Sequence, residues 1–366
     1  MALASLLTFV VNAAWQVTLM AVAVAFTHRA LAGFGAAVRH RVVVGALVAS
    51  ALLPLVAVHR VTTAPAHAPV AAVSRSQLVL PMPLGTVAVA LAALAAGLRL
   101  ASLLRAWRRT TVTHEVPLPG AVAMEVERLA QRLGVSRVRV VGSTTAAGPF
   151  TLGRRVVLPA ALFDPAAASL LTAALGHELA HVRRRDFGVN LLLEMLLVPL
   201  AFHPAAWFLK RRADDLAELA CDEAVIRAAL VERREYARSL LTLAESMQVQ
   251  NRLSLQLSAV TVPLLEHRLR VLVGEDPAPA NRRWSPLSFG ALAAAGAMSM
   301  GFAVPTSFPA GWLASGLAAC REARPEEANQ AISHLSEYER ADLLFGCAEV
   351  HQRWCDERGF GPEEEP

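Results

Sequence analysis

The sequence has few charged residues, few aromatic residues and few cysteines for a chain of 366 residues. Charged side chains make up 18% and aromatic side chains 6%, and no acidic residue precedes Glu115. So small a charged fraction excludes an ordinary cytosolic enzyme, which must face water over much of its surface. Four cysteines exclude a disulfide-framework secreted protein, and 55% hydrophobic residues exclude a disordered chain. The abundance of Ala, Val and Leu, with a mean hydropathy of +0.42, predicts a membrane protein.

Four apolar stretches are candidates for membrane spans, each of which takes about 20 residues. They are residues 4–26, 42–58, 78–97 and 286–304. The first stretch also resembles a cleaved signal peptide, but no basic residue precedes it and further spans follow, which favours a span. The predicted fold class is a mainly α multi-pass membrane protein with four transmembrane helices, of which three form an anchor over residues 1–104.

Arginines indicate how these spans are oriented. They follow the first and third spans and precede the fourth, where Arg282 and Arg283 lie. Because loops rich in Arg and Lys stay in the cytoplasm, the N-terminus and the tail over 305–366 are expected outside. The tail is acidic over residues 310–366, with twelve acids against five arginines. The predicted location is a bacterial-type cytoplasmic (inner) membrane.

The four cysteines divide between the two sides of this topology. Cys221 falls in the cytoplasmic part, where a thiol stays reduced. Cys320, Cys347 and Cys355 fall in the outer tail, where two of them pair and leave one over, or all three stay unpaired. The sequence does not choose between these two states.

Residues 105–285 lie between the third and fourth spans and are long enough for a core of their own. Their balanced composition predicts a cytoplasmic α+β domain. Turn and cap residues divide it into elements, among them an Asp-Pro pair that provides an N-cap and a first-turn proline. The predicted elements are a helix over 120–133, a strand over 138–141, a hairpin over 148–158 and a helix from Asp164 to about Arg184.

The last of these helices carries the sequence His177-Glu178-Leu179-Ala180-His181. Two histidines four residues apart lie one turn above each other on one face of a helix, the separation needed to bind one tetrahedral metal ion. Glu178 then reaches the open coordination position, where a carboxylate is the general base for a bound water. The alternative is two histidines on a helix surface flanking a solvated glutamate.

A catalytic zinc site needs a third protein ligand. Glu218 and Asp222 lie one turn apart on a helix predicted to begin near Ala213. Glu218 is therefore the candidate ligand, and Asp222 the candidate acceptor for the free ring N–H of a ligand histidine. The alternative is that both belong to a solvated acidic face. Cys221 points about 80° away from the direction midway between the two acids, so we interpret it as a buried small residue.

The stretches HELAHVRRRDFGVNLLLEML and FHPAAWFLKRRADDLAELACDEAV resemble the BlaR/MecR family of integral-membrane zinc metallopeptidases, which are gluzincins. The resemblance is close over residues 140–270. The tail holds no SxxK sequence and only about 60 residues, so β-lactam sensing through an acylated serine is not implied. The motifs that carry the resemblance are HExxH, Arg185-Asp186, His203-Pro204 with Trp207, and the ExxxD helix.

This resemblance implies one Zn²⁺ per chain, bound by His177, His181 and Glu218, with Glu178 catalytic. It also implies cleavage of a cytoplasmic protein, typically a transcriptional repressor, or of the chain itself, in response to a signal received outside. The predicted partners are a protein or peptide substrate on the cytoplasmic side and membrane lipid. Direct nucleic-acid binding is not expected, because the arginines are explained by the topology.

Residues 187–209 are apolar enough for a fifth span. A simple span there would put the two histidines and Glu218 on opposite sides of the membrane, where they cannot form one site. We therefore expect a broken, re-entrant or interfacial hairpin. Four residues also disfavour a plain lipid-facing helix, namely Asn190, Glu194, Pro199 and Pro204.

The sequence thus predicts a membrane-embedded zinc endopeptidase in regulatory proteolysis, with the 148–158 hairpin offering an edge strand to an extended substrate. No side chain that stabilises an oxyanion is identifiable. Arg268 is interpreted as exposed or ion-paired, and His203 as structural. The alternative function is a catalytically silent transmembrane receptor or scaffold that keeps the metal site for structure.

Overall fold

The computed structural model of the protein describes residues 2–31, 33–63, 78–79, 82–110, 114–250, 255–274, 294–299, 304 and 306–307. The described chain is mostly helical, with two small sheets. The helices are α1 (Ala2–Ala30), α2 (Ala36–Thr63), α3 (Met82–Thr110), α4 (Gly120–Leu133), α5 (Ala168–Arg184), α6 (Asp186–Leu197), α7 (Pro204–Arg227), α8 (Arg233–Gln250) and α9 (Leu255–Val273). The strands are β1 (Leu78–Val79), β2 (Glu115–Val116), β3 (Arg139–Ser143), β4 (Phe150–Leu152), β5 (Arg155–Pro159) and β6 (Thr306–Ser307).

Three helices in the described part of the chain are long and apolar enough to cross a membrane, as expected of a membrane protein. They correspond to the first three predicted spans and cover Leu3–Thr27, Ala36–Val61 and Pro83–Arg108. The third differs from the predicted 78–97, because Leu78 and Val79 form a strand and the helix continues to Thr110.

The fourth predicted span is described only at residues 294–299, which are helical, and at 304. It stays a prediction. The tail cysteines Cys320, Cys347 and Cys355 lie outside the described residues.

The chain divides into two compact units. One comprises Met1–Gln16, Leu53–Leu94 and the described residues from Met298 onwards. In it β1 pairs with β6 in parallel. The side-chain amide of Asn12 donates to the carbonyl of Val304 at 2.9 Å and accepts from its N–H at 2.9 Å. A polar group within the first apolar helix therefore has partners, as an apolar surrounding requires.

The second unit comprises Val17–Leu52 and Ala95–Ala297 and contains a four-stranded sheet in the order β2-β3-β5-β4. β3 and β5 are parallel, whereas β4 and β5 form the predicted antiparallel hairpin. Gly153 in its turn has a φ of +64°, a conformation that favours glycine. β4 is the last strand in the order and therefore forms one edge of the sheet.

Helix α5 lies at the centre of this unit and packs against α4, α7, α8 and the sheet. Asp164 accepts a hydrogen bond from the N–H of Ala166 at 2.9 Å, which starts the helical turn that leads into α5. The helix ends at Arg185, whose φ of 60° turns the chain directly into α6. The core around α5 includes the fully buried Leu129, Leu158, Leu175, Leu179 and Tyr236.

The hydrophobic segment 187–209 is broken into two helices. α6 has 12 residues, too few to cross a bilayer, and ends at Leu197. His203 then caps α7, because its Nδ1 accepts from the N–H of Ala205 at 3.2 Å. The indole of Trp207 closes the turn by donating to the carbonyl of Ala201 at 2.8 Å. This break allows α7 to return to α5.

A charge cluster holds α6 and α7 together. Lys210, the single lysine of the chain, is 5% exposed, and its Nζ lies 2.7 Å from Asp214 and 3.2 Å from Glu194. Arg99 of α3 also pairs with Glu194 and stacks over the ring of Trp207. The two carboxylates balance the buried charge of Lys210, as a buried ammonium requires. The cluster fixes the part of α7 that precedes Glu218.

Candidate metal centre

Helix α5 presents His177 and His181 side by side. Their spacing of four residues places both on one face, and their rings meet edge to face with centroids 4.8 Å apart. The Nε2 atoms of the two rings are 3.2 Å apart. His177 and Glu178 are each 8% exposed. The side chain of His181 is 16% exposed, so both histidines are largely buried rather than on a solvated helix surface.

Glu218 of α7 completes a group of three donors. Its Oε2 lies 3.2 Å from His177 Nε2, and its Oε1 lies 3.5 Å from His181 Nε2. Zn–N and Zn–O distances of about 2.0–2.1 Å in a tetrahedral site put neighbouring ligand atoms about 3.3 Å apart. The three separations match that spacing, so this donor set fits one small divalent metal ion.

The side chains behind His177 determine which of its ring nitrogens faces the group of three. His177 Nδ1 lies 3.0 Å from the hydroxyl of Tyr236 and 3.2 Å from Asp222 Oδ1. The Tyr236 hydroxyl itself donates to Asp222 Oδ1 at 2.7 Å. The ring therefore donates from Nδ1, so that Nε2 faces the group of three and supplies its lone pair when a metal displaces the proton there. Burial raises the pKa of Tyr236 well above its usual value, so its hydroxyl stays a donor.

Arg268 of α9 balances the two carboxylates of α7. Its guanidinium donates two hydrogen bonds to Asp222, at 2.8 and 2.7 Å, and lies 3.1 Å from Glu218 Oε2. Burial disfavours the charged form of Asp222, but Arg268 and His177 hold the pKa of that carboxyl down at about 2. Against the same effect of burial, hydrogen bonds from the Nε2–H groups of His177 and His181 in the metal-free site, together with Arg268, hold the pKa of Glu218 well below its usual value. Both acids are therefore ionised and able to accept.

His181 has a separate set of partners. Its Nδ1 donates to Asp186 Oδ2 at 2.9 Å, which leaves Nε2 for a metal. Cys221 Sγ lies 3.3 Å from the same nitrogen and donates to Asp186 at 3.5 Å. Burial raises the pKa of the Cys221 thiol to about 11, so the sulfur is a neutral thiol.

His181, Asp186 and Cys221 also satisfy the distances of a metal-binding group. However, the guanidinium of Arg184 donates to both oxygens of Asp186, at 3.2 and 2.9 Å. A cation already occupies the carboxylate, and a protonated thiol is a poor ligand. The geometry therefore favours a single metal, with this second group holding His181.

Glu178 follows His177 in α5 and contacts the edge of the sheet. Its Oε2 accepts a hydrogen bond from Thr151 Oγ1 at 2.7 Å. Thr151 is the middle residue of β4. The candidate general base is therefore in direct contact with the edge strand that is expected to pair with a substrate. A carboxylate held here can take a proton from a water bound at the open position of a metal.

The structure thus brings together four residues singled out from the sequence, His177, His181, Glu218 and Asp222. Glu178 follows His177 in α5, and its carboxylate is held by Thr151. Cys221 is buried as predicted, but it also contacts His181. Sequence reasoning missed two groups of the site, the Tyr236 hydroxyl and the Asp186 carboxylate, and it left Arg268 without a place in the site. Only Asp186 had a nearby signal, five residues beyond His181 in the Arg-Asp pair.

Comparison with known families gives a match. A family model described as BlaR1 peptidase M56 matches residues 9–272, which is well over half of the chain. The matched range covers most of the first apolar helix, the next two apolar helices, the four-stranded sheet and every residue of the candidate metal centre. A search of curated proteins finds no match.

Proposed function

The chain belongs to the BlaR1 peptidase M56 family, and from this membership we propose that it is a zinc-dependent endopeptidase of regulatory proteolysis. The convergence of His177 Nε2, His181 Nε2 and Glu218 carries the proposal, together with Glu178, which follows His177 in the HExxH sequence. A membrane-associated metallopeptidase is what the family and the three apolar helices indicate. The identity of the metal as zinc, the substrate and the role in signalling are our proposals.

In this mechanism His177, His181 and Glu218 would hold the metal. A bound Zn²⁺ would supply a Lewis acid for the scissile carbonyl and lower the pKa of a water. Glu178 would act as the general base for the attacking water and then as the general acid for the leaving amine. Arg268 and Asp222 hold Glu218 and His177 in place through direct contacts.

An extended peptide fits at the outer edge of β4. Backbone N–H and C=O groups of an edge strand add a further strand by β-augmentation. Because Thr151 of β4 contacts Glu178, a peptide paired with β4 passes close to the general base. We propose a protein substrate such as a transcriptional repressor, or the chain itself, on the cytoplasmic side of an inner membrane, with the N-terminus and tail outside.

The experiment compares wild type, Glu178→Ala and Glu266→Ala expressed in a bacterium. Glu266 is exposed on α9 and pairs with Arg270, so Glu266→Ala is a matched removal of a carboxylate away from the site. Membrane and cytosolic proteomes are compared for fragments that disappear only in Glu178→Ala, and bound metal is measured per chain. If no cleavage depends on Glu178 while the metal is retained and signalling persists, the protein is a silent receptor rather than a protease.

A further inference from the structure

The N-terminal part of α2, the second candidate span, contacts the elements that carry the metal ligands. His40 reaches the α5–α6 junction beside His181, and Ala36 reaches α7 beyond Glu218. Both contacts lie within the second compact unit. The contacts involve hydrogen bonds rather than apolar packing alone, so they fix direction as well as distance.

The first contact is a chain of side chains that ends on a metal ligand. Arg184 Nη2 donates to His40 Nδ1 at 3.3 Å, and Arg184 Nε donates to Asp186 Oδ2 at 2.9 Å. The same Asp186 oxygen accepts from His181 Nδ1 at 2.9 Å. An arginine only donates, so His40 accepts through Nδ1 and takes part as a neutral ring.

Burial distinguishes this chain from an ordinary surface ion pair. His40 is 7% exposed, and the side chains of Arg184 and Asp186 are 16% and 12% exposed. Exposed ion pairs move freely and contribute little to stability, whereas buried charge-assisted hydrogen bonds hold their geometry. The orientation of the His181 ring therefore depends on where Arg184 is held, and His40 is one of the groups that hold it.

The second contact joins the start of α2 to the other ligand helix. The N–H of Ala36 donates to Glu223 Oε1 at 2.8 Å, and a negative charge is favourable at the N-terminus of a helix. A Cβ on Gly35 would lie 3.0 Å from Glu223 Oε2, so glycine leaves room for this carboxylate. Glu223 follows Glu218 by five residues on α7. The start of α2 is thus bound to both ligand helices.

We propose that the N-terminal part of α2 is a positioning element of the metal centre, in which His40 acts through Arg184 and Asp186 to aim His181 Nε2 at the metal. The inference rests on the proposed function, because it assigns a metal to His181. It adds that the affinity for the metal depends on the position of a membrane helix. A displacement of α2 relative to the peptidase helices then changes the binding of the metal.

The test measures zinc affinity in the purified full-length chain in detergent, by competition with a chelator of known affinity. His40→Leu removes the acceptor, His40→Gln restores one at Oε1, and Asp186→Asn weakens the acceptor for His181. His59→Leu is the matched control, because His59 is exposed and lies 19 residues further along the sequence of α2. Thermal unfolding of each metal-free variant reports on structural damage separately.

Asp186→Asn is expected to weaken zinc binding 10- to 100-fold, the range for groups that orient a metal-binding histidine. His40→Leu is expected to weaken it about 3- to 10-fold, because His40 acts one step further away. His40→Gln and His59→Leu are expected to match wild type, with one zinc per chain throughout.

Wild-type zinc affinity in His40→Leu would overturn the inference, whatever Asp186→Asn shows, and would leave the proposed function intact. Equal weakening in His40→Gln and His40→Leu would also overturn it, because the effect would then be one of packing. A wild-type chain that binds no zinc would overturn both.

Discussion

Tyr236→Phe removes one hydroxyl from the core of the candidate metal centre and leaves the ring in place. The ring is fully buried, and the hydroxyl donates to Asp222 Oδ1 at 2.7 Å while lying 3.0 Å from His177 Nδ1. The variant creates almost no cavity, so its effect comes from the hydrogen bonds. Any change in metal binding then reports on the orientation of His177.

The magnitude follows from the partners that remain. A hydrogen bond to a charged group contributes about 1.5–3 kcal/mol, and Asp222 keeps both hydrogen bonds from Arg268. We therefore expect a loss of about 2 kcal/mol in the free energy of unfolding, or about 4–8 °C in Tm for a unit of this size. In the variant, His177 Nδ1 keeps only its contact with Asp222 at 3.2 Å. The affinity for zinc is therefore expected to fall about 10-fold or more.

The assay is thermal unfolding with and without zinc, together with a chelator competition. Thr242→Val is the control, because it removes a hydroxyl from an exposed position of the same helix α8 and is expected to change the free energy of unfolding by less than about 0.5 kcal/mol. If Tyr236→Phe has the Tm and the zinc affinity of wild type, then the Tyr236 hydroxyl does not orient the ring of His177.

Three further predictions test the fold and the site. Gly142→Ala places a Cβ 2.6 Å from the rigid Phe163 ring and is expected to lower the free energy of unfolding by about 1–3 kcal/mol. Gly188→Ala lies in open space on α6 and is expected to raise the free energy of unfolding by about 0.5–1 kcal/mol, and chemical denaturation compares the two variants. Arg185→Gly relieves the left-handed conformation between α5 and α6, so Tm is expected to stay the same or rise, and a fall would contradict that account. Chelation of zinc supplied at 1,000 times its Kd is expected to remove about 4 kcal/mol of stability, measured by calorimetry, and His181→Ala is expected to show no such difference.

Local features of the fold could be predicted from the sequence because they depend on neighbouring residues. The Asp164 cap, the hairpin around Gly153 and the helix over 120–133 are confirmed within one or two residues. The ends of the third span differ from the prediction. Leu78 and Val79 form a strand that pairs with Thr306 and Ser307, which are remote in sequence, and α3 continues to Thr110. The fourth span stays a prediction.

The acidic face of α7 shows what the sequence alone does not determine. Its carboxylates have four different partners: Asp214 binds Lys210, Glu218 faces the histidines, Asp222 binds Arg268 and Glu223 accepts from the start of α2. Helical spacing places them on neighbouring faces but cannot tell a ligand from a solvated acid. That distinction depends on α2, α5 and α9, which approach α7 from distant parts of the chain.

The same reasoning applies to the metal centre itself. The HExxH spacing sets which nitrogens can converge, because it is a property of one helix. It does not set which ring nitrogen carries the proton, and that choice decides whether Nε2 has a lone pair for a metal. At His177 the choice is made by Tyr236 of α8 and Asp222 of α7, and at His181 by Asp186 of α6. The affinity for the metal is therefore determined by the packing of other helices around the two Nδ1 atoms, and a chain can keep the intact motif while losing the site.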